Sequence, residues 1–244
     1  MTTSPLKITF KPRGHIRYSR GMKIHAFLCF AILTSTLSVA LAQTTPLFNG
    51  QDLSGWRVVD ILEHGKVSVL SDGTVACEPG NPMTAMVYTN RFPTMNYELS
   101  LQAMRVKGED FFVALTVPVY SNFCTVIIGG WGGGLCGISS IDFMDAAENP
   151  FSEHFFLENN RWYSLRVRVT PGVFQVFLDD KLYTARVEFE SSTRFSLRPG
   201  SDIDKTTPLG LTTYRTLAHW RNFNLTRITT LGPNDKPNEE NGFQ

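Results

Sequence analysis

Short apolar or alternating runs recur along the chain from residue 66 to residue 228, and turn-forming residues separate them. The clearest alternation lies in RWYSLRVRVT, where Tyr163, Leu165 and Val167 alternate with Ser164 and Arg166. Side chains at every second position share one face of a strand, so this pattern predicts a strand with one buried and one solvated face. After residue 42, no stretch keeps the spacing of an amphipathic helix.

The other runs are rich in Val, Phe, Thr and Tyr, and their spacing is typical of antiparallel sandwiches. A hairpin is predicted within GVFQVFLDDKLYTARV, because Asp179 and Asp180 tolerate the positive φ of a two-residue turn. The sequence therefore predicts an all-β fold of antiparallel strands. Besides the strands already named, it places strands in KVSVL, GTVACE, TAMVYT, NYELSLQAMRV, DFFVALTVPV, FCTVIIG, RFSLRP, LGLTTY and HWRNFNLTRI.

The stretch GGWGGGLCGISSIDFMD, residues 129–145, places six glycines around one tryptophan. Glycines let a ligand approach the backbone, and an aromatic ring on such a loop is a platform for the face of a sugar. Trp131 is therefore a candidate substrate-binding residue. The alternative is that its ring fills a gap beneath the loop. No Lys, Ser or Thr opens a helix after the glycines at the spacing of a phosphate-binding loop.

Acidic residues and a histidine follow the glycines of this stretch, namely Asp142, Asp145, Glu148, Glu153 and His154. Carboxylates act as general bases and, together with imidazole, hold divalent cations. Asp142, Asp145 and Glu148 are therefore candidate catalytic residues, and His154 is a candidate binding residue. A divalent cation is the one candidate cofactor, although the spacing matches no known metal motif. The alternative for the two aspartates is that they cap turns through their own side chains.

Arg198 ends the predicted strand RFSLRP and is a further candidate substrate-binding residue. The alternative is a solvated arginine. A nucleophile elbow, a phosphate-binding loop, a dinucleotide fingerprint and a paired Cys-x-x-Cys motif are all absent from the sequence. These absences exclude several common enzyme classes.

The first 42 residues carry six Lys or Arg residues and no acid. An apolar stretch from His25 to Ala42 ends in a small-residue triplet that fits signal-peptide cleavage before Gln43. We therefore expect a signal peptide in residues 1–42, a domain over residues 43–230, a disordered polar tail over residues 231–244, and a secreted or periplasmic bacterial protein. The alternative is an uncleaved membrane anchor, although the apolar run is at the short end for a span.

Loss of the leader changes the charge balance of the chain. It leaves 17 Lys and Arg residues against 22 Asp and Glu residues, a formal net charge of −5. Nucleic acid is therefore not an expected partner, because phosphate binding needs clustered basic residues. The mature chain keeps Cys77, Cys124 and Cys136. The sequence leaves two alternatives open, a disulfide between Cys124 and Cys136 or buried free thiols.

The motif LFNGQDLSGW, residues 47–56, resembles the opening of the 3-keto-disaccharide hydrolase domain family. Later segments are similar to the family as well, namely MNYELSLQAMRV, RWYSLRVRVTPGVFQVFLDDKLY and WRNFNLTRI. The resemblance implies an antiparallel concanavalin-like, or laminin-G-like, jelly-roll β-sandwich over nearly all of residues 46–228. The middle of the chain departs from the family, because EDFFVALTVPV and CTVIIGGWGGGLCG stand where members carry an arginine, a Glu and a Gln. The resemblance is therefore to a divergent branch.

The resemblance also implies an activity and a partner. It implies a hydrolase of 3-keto-disaccharides or other modified glycosides, which acts by elimination between C1 and C2 followed by hydration. The alternative is a non-catalytic module of the same fold that binds a carbohydrate or another surface. In both cases the expected partner is a disaccharide or polysaccharide, and no membrane span is expected in the mature chain.

Overall fold

The computed structural model describes residues 43–237, apart from the side chains of residues 181–185. The predicted signal peptide lies outside the described residues. The described strands form two antiparallel sheets, which are named A and B. Sheet A contains β1 (Thr44–Pro46), β3 (Val67–Val69), β4 (Val75–Cys77), β6 (Tyr97–Lys107), β11 (Trp162–Thr170), β12 (Val173–Leu178), β13 (Lys181–Glu188) and β15 (Leu217–Arg227). Sheet B contains β2 (Trp56–Val58), β5 (Met83–Tyr88), β7 (Val113–Val119), β8 (Asn122–Gly130), β9 (Leu135–Ser139), β10 (Ser152–His154) and β14 (Gly210–Tyr214).

The strand order gives the sandwich its jelly-roll topology, which confirms the predicted fold class. Sheet A runs in the order β13-β12-β11-β6-β15-β4-β3, with β1 also paired to β15, and sheet B runs in the order β10-β9-β8-β7-β14-β5-β2. The predicted turn between β12 and β13 is confirmed, because Asp179 and Asp180 have φ values of 49° and 60°. Three short 3-10 helices, Ser192–Arg194, Asp202–Thr206 and Pro233–Asp235, complete the regular structure of the described residues. Within this part of the chain, no helix is long and apolar enough to cross a membrane.

The main core lies between the two sheets, where the apolar faces of both meet. Leu99 and Leu101 of β6 and Val167 of β11 point into it, whereas the residues between them face outward. Two aromatic side chains also tie the sheets together through their polar groups. The indole of Trp220 donates to the carbonyl of Phe112 (2.9 Å), and the hydroxyl of Tyr97 donates to the carbonyl of Pro118 (2.6 Å). A buried Tyr or Trp usually finds such a partner, since an unpaired polar group in a core is costly.

The opening motif of residues 47–56 is a structural element. The side-chain oxygen of Asn49 accepts from the backbone amides of Gln51 and Asp52, which closes a local turn. Trp56 is buried and donates its indole N–H to the carbonyl of Leu47 (2.9 Å). The Asp52 carboxylate in turn accepts from the Asn49 side-chain amide (2.7 Å) and from the backbone amide of Ser54 (2.8 Å). The Asn, Asp and Trp of the motif therefore all hold local structure.

The structure contradicts one strand prediction and decides between the two alternatives for the cysteines. The segment RFSLRP is not a strand, because Ser196 pairs its backbone with Ser140 and Phe195 forms only an isolated bridge with Ile141. It therefore joins the loop that follows β9 instead of a sheet. Cys77, Cys124 and Cys136 are buried free thiols, so the disulfide alternative is not realised.

The segment that follows β15 packs on the outer face of sheet A. Disorder is expected from residue 231 onward, whereas residues 232–235 form a closed turn and Asp235 is buried. The guanidinium of Arg168 holds the Asp235 carboxylate through two bonds of 2.5 and 2.7 Å. The hydroxyl of Thr170 also donates to the Asp235 carbonyl (2.9 Å). The ion pair between Arg168 and the buried Asp235 carboxylate anchors this polar segment to sheet A, and residues 238–244 lie outside the described residues.

We expect Asp235→Asn to lower the free energy of unfolding by about 1 to 3 kcal/mol at neutral pH, because the charge-assisted bonds to a partly buried guanidinium are lost. The hydrogen bond from Arg168 lowers the pKa of Asp235 below its ordinary value. The carboxylate therefore stabilises the fold above the unfolded pKa of about 4, and this contribution is lost as the pH falls through the lower folded pKa. Urea denaturation at pH 7 and at successively lower pH values measures the effect.

Asp180→Asn is the matched control, because the Asp180 side chain is 85% exposed and lies 3.6 Å from Arg166. A surface pair of this kind contributes about 0 to 1 kcal/mol. Equal destabilisation by the two substitutions would contradict an anchoring role for Asp235.

Candidate functional site

The outer face of sheet B carries a band of small and polar side chains. Thr116, Thr125 and Ser139 lie side by side on β7, β8 and β9, and their neighbours along each strand point into the core. The next row of this face contains Ala85, Thr212, Ala114 and Ile127. Short side chains leave room above the sheet, so other segments of the chain can approach it closely.

Two segments pack against this face and leave a cavity between them. The first runs from residue 198 to residue 206, and Thr206 approaches β14 so closely that a side chain on Gly210 would lie 2.5 Å from its Cβ. The second follows β9, where the buried amide of Asn149 donates to the carbonyl of Ile138 (2.8 Å) and to that of Asp145 (2.8 Å). The loop that contains the sequence-predicted acids is therefore fixed to the edge of sheet B.

The cavity consists of two adjoining depressions of about 460 and 230 Å³. Phe111, Trp131, Arg198 and Tyr214 line both of them. A size of 300 to 1,000 Å³ is usual for a small-molecule site, so the larger depression alone has room for a sugar ring. The remaining residues that line it include Met83, Thr125, Ile127, Ser139, Ser201, Asp202 and Ile203, and Asp110 lines the smaller one.

Arg198 brings a positive charge to the cavity wall, and an ion pair with Asp145 holds it there. Its guanidinium lies 2.9 Å from Asp145 Oδ2, and the Arg198 side chain stays 55% exposed while that of Asp145 is only 14% exposed. The other carboxylate oxygen of Asp145 accepts from the hydroxyl of Ser139 (2.6 Å) and from the amide of Ala146 (2.7 Å). These bonds fix the Asp145 carboxylate in place, and the fixed carboxylate in turn orients the Arg198 guanidinium.

Trp131 lies at the rim of the cavity, on the Gly-rich loop between β8 and β9. The residue is 41% exposed, and the Arg198 guanidinium lies 5.8 Å from the centre of the indole ring. Phe111 and Tyr214 pack against each other on the wall, with ring centres 5.5 Å apart. The cavity therefore offers aromatic surfaces next to a cation, which is the combination that binds the apolar face and the hydroxyls of a sugar.

Asp110, Phe111 and Tyr214 line this site and were missed by the sequence reasoning, and Asp110 is the ionisable carboxyl among them. It is half-buried, and it precedes β7 at the wall of the smaller depression. Burial raises the pKa of its carboxyl above the ordinary value, and this effect exceeds the opposing hydrogen bonds from the amides of Phe111, Trp131 and Gly132. A carboxylate with a raised pKa in a cleft is a functional candidate. The signal in the sequence was an acid at the start of a long apolar strand, in EDFFVAL.

The structure brings only some of the sequence-predicted residues to the cavity. Trp131 and Arg198 line it, and Asp145 lies directly behind Arg198. Asp142 instead pairs with the guanidinium of Arg194 through bonds of 2.6 to 3.1 Å, and this partner lowers the pKa of the Asp142 carboxyl. The predicted set is therefore divided, with Trp131, Arg198 and Asp145 at or behind the cavity wall and Asp142 outside it.

Glu148 and His154 are exposed and do not line the cavity. Glu148 accepts from the amide of Asp145 (3.2 Å), and His154 lies at the end of the edge strand β10, opposite Leu135. Among the described residues, no three His, Cys, Asp or Glu side chains are grouped closely enough to hold a metal ion. The side chains offered as cation ligands, Asp142, Asp145, Glu148, Glu153 and His154, thus do not form such a group.

The model of the 3-keto-alpha-glucoside-1,2-lyase-like domain matches residues 43–226, from β1 to the last residues of β15. The chain belongs to this family. The match includes both sheets and every residue that lines the cavity. No curated protein matches the chain.

Solved structures share the fold of this family member at low sequence identity. A protein of unknown function with a galectin-like fold from Bacillus subtilis is 8% identical, with a TM-score of 0.52 over 76% of this chain and 94% of that chain. A transglycosylase in complex with NAG is 12% identical, with a TM-score of 0.52 over 78% and 85% of the two chains. A structure from work on mucin-degrading endo-acting O-glycanases of the human gut microbiota is 11% identical, with a TM-score of 0.51 over 77% and 99%. At these identities the likeness concerns the fold alone.

Proposed function

We propose that this protein cleaves 3-keto-glycosides, such as 3-keto-disaccharides, in the cavity on the outer face of sheet B. The observation that carries the proposal is the convergence of Asp110, Arg198 and Trp131 on one cavity within the matched domain. A base, a cation and an aromatic platform are the groups that the elimination chemistry of a keto sugar requires. The products of the first step are an unsaturated keto sugar and the released alcohol.

The reaction begins at the carbon next to the ketone. A ketone at C3 makes the C2 proton acidic, so a base removes it and the electron pair moves to the C3 oxygen as an enolate. The enolate then reforms the C3 carbonyl as a C1–C2 double bond forms and the C1–O bond breaks, and the leaving oxygen takes up a proton. Water adds across the double bond in a second step and gives the free keto sugar. The site must therefore supply a base at C2 and a positive group at the C3 oxygen.

Asp110 is the proposed base. The pKa of its carboxyl is raised by burial, and a base is most effective when its pKa approaches the working pH. Asp142, Asp145 and Glu148 remain alternative catalytic residues on sequence grounds. Asp110 is preferred to them because Asp142 is bound to Arg194, Asp145 is bound to Arg198, and Glu148 is exposed outside the cavity.

Arg198 is the proposed stabiliser of the enolate oxygen. Its guanidinium stays charged throughout the reaction and is already oriented by Asp145, so no reorganisation is needed when negative charge develops. Trp131 and the pair Phe111 and Tyr214 would hold the sugar ring between them. The Tyr214 hydroxyl is an O–H donor on the same wall and would protonate the leaving oxygen. No step of this scheme requires a metal ion.

The same cavity also fits a second function, a binding module that holds a carbohydrate without cleaving it. The observation in favour is Trp131, whose ring is exposed on a Gly-rich loop at the cavity rim. In either function the protein would act outside the cytoplasm, as the signal-peptide pattern in residues 1–42 predicts. Cleavage distinguishes the two functions.

We expect the purified protein to release the aglycone or second sugar from a 3-keto-disaccharide and to leave the parent disaccharide intact. Without the ketone, the C2 proton is far too weakly acidic for a carboxylate to remove. Chromatography of both reactions gives the result, and the unsaturated keto sugar should be trapped when the second step is slow.

Two other outcomes would contradict the proposed cleavage of keto sugars. Equal cleavage of the two sugars would indicate an ordinary glycosidase with two carboxylates. Saturable binding of a polysaccharide without cleavage of either sugar would establish the binding module.

A further inference from the structure

Arg105 of β6 lies behind the Gly-rich loop and is buried among neutral hydrogen-bond partners. The residue is buried, with a relative exposure of 6%, and its guanidinium has no carboxylate within ion-pair distance among residues 43–237. Burying an unpaired charge is costly unless hydrogen bonds satisfy it. The residue must therefore be held by bonds to neutral groups.

These bonds join three segments of the chain. The guanidinium donates to the carbonyl of Gly133 (2.9 Å), to the carbonyl of Leu157 (2.6 Å) and to the side-chain oxygen of Asn159 (2.6 Å). The backbone carbonyl of Arg105 also accepts from the amide of Asn160 (2.7 Å). A single buried side chain thus fastens the Gly-rich loop and residues 157–160 to the central strand of sheet A.

Gly133 shows how closely the loop is seated. Its φ is 101°, which L side chains rarely adopt, and a Cβ there would lie 2.8 Å from Arg105 Nη1 and 3.2 Å from the carbonyl oxygen of Glu109. The loop therefore packs closely against Arg105 and against the backbone of Glu109, the residue before Asp110. Trp131 lies two residues before Gly133 in the loop, and Asp110 directly follows Glu109, so the bond from Arg105 to Gly133 holds the loop next to both cavity residues.

We propose that Arg105 is a positioning residue of the cavity, which holds the Gly-rich loop so that Trp131 and Asp110 face a bound keto sugar. This proposal rests on the proposed function. Arg105 itself does not line the cavity, so it acts through the loop and through its charge.

The charge of Arg105 also acts on the proposed base. Arg105 lowers the pKa of the Asp110 carboxyl, in opposition to the larger effect of burial. The other groups that face Asp110 are the amides of Phe111, Trp131 and Gly132. Arg198 and Tyr214 line the smaller depression with it, and Glu109 precedes it in the chain. Removal of the Arg105 charge alone should therefore raise the pH at which Asp110 ionises.

The test compares Arg105→Gln with Arg105→Lys and with Asn159→Ala in the full chain. We expect Arg105→Gln to lower kcat/KM for the keto sugar by about tenfold to a hundredfold, as a slightly misplaced site does. The acidic limb of its pH–rate profile should move to higher pH. Arg105→Lys keeps the charge, so its acidic limb should stay near that of the wild type.

Asn159→Ala is the matched control, because it removes one bond to Arg105 but leaves the charge and the bond to Gly133. It should lower the melting temperature without a shift in the pH profile. Hydrogen exchange gives a readout that needs no activity: amides 129–134 should exchange faster in Arg105→Gln than in Asn159→Ala. A wild-type pH profile together with unchanged exchange of the loop in folded Arg105→Gln would overturn the proposal.

The outcomes also separate the two proposals. A wild-type protein that cleaves no keto sugar would overturn the proposed function, and the loop-exchange comparison would then decide whether Arg105 positions the loop. Unchanged exchange in that case would overturn the role of Arg105 as well.

Discussion

Asp110→Asn should lower kcat for the 3-keto-disaccharide by at least about a hundredfold and leave KM nearly unchanged. An amide cannot accept the C2 proton, yet it has almost the shape of the carboxylate, so the loss falls on the chemical step. Because burial raises the pKa of the Asp110 carboxyl, the acidic limb of the wild-type profile should lie above the ordinary carboxyl value of about 4. Steady-state kinetics between pH 4 and 9 would measure both effects.

The same substitution should not destabilise the protein at neutral pH. A carboxyl whose folded pKa is raised favours folding below its unfolded pKa, and this contribution is lost as the pH rises through the folded pKa. Ionised Asp110 therefore costs stability at pH 7, and the neutral amide removes that cost. A melting temperature at or above that of the wild type, together with the loss of kcat, would separate a catalytic role from a structural one.

Asp142→Asn is the matched control for this experiment, since Asp142 pairs with Arg194 outside the cavity. It should leave kcat within about twofold of the wild type, the range of a substitution that touches no reacting group. If Asp110→Asn kept full activity while a substitution of Asp142, Asp145 or Glu148 removed it, the base would be assigned to the acids that follow the Gly-rich loop.

Arg198→Gln should lower kcat by about a hundredfold to a thousandfold, the usual effect of removing one group that stabilises a developing oxyanion. Arg198→Lys should restore part of the activity, because it keeps a positive charge but loses the planar geometry of the guanidinium. The fold should tolerate both changes, since the Arg198 side chain is 55% exposed. Single-turnover kinetics with the keto sugar would separate the chemical step from binding.

Arg194→Gln is the matched control for Arg198→Gln. Arg194 also pairs with a carboxylate, that of Asp142, but it lies outside the cavity. Folded Arg194→Gln should turn over the keto sugar at close to the wild-type rate. A rise in KM without a fall in kcat for Arg198→Gln would mean that the arginine only binds the sugar, and this result would favour the binding module.

The outer face of sheet B shows why the site could be predicted only in part. Trp131 was identified because glycines on both sides of an aromatic residue form a local signal, and Arg198 because it ends the predicted strand RFSLRP. Neither signal required knowledge of the neighbours in space. Asp110 carries no local signal of comparable strength, because its importance depends on burial by a loop that lies about twenty residues further along the chain.

The acids after the Gly-rich loop illustrate the opposite difficulty. Asp142, Asp145 and Glu148 are close in sequence, and their clustering made them candidates as a group. In the structure Asn149 holds their loop to β9 in such a way that Asp145 meets Arg198 while Asp142 meets Arg194. Which carboxylate meets which arginine depends on the path of residues 194–198, and no spacing within residues 142–148 specifies it.

The sequence alone determined that the chain forms strands, because the alternation of apolar and polar residues is set by the geometry of a single strand. Short strands of this kind, separated by turns and solvated on one face, are typical of antiparallel sheets. It also determined the hairpin at Asp179 and Asp180 and, through the opening motif, the resemblance to the family. Only the tertiary structure decided which residues form the cavity. Strand order places β9, β8, β7, β14 and β5 side by side, and side chains from residue 83 to residue 214 therefore converge on one face. Contacts between residues so far apart depend on the register of the strands and on the segments that cross the sheet, and neither is encoded in a local pattern.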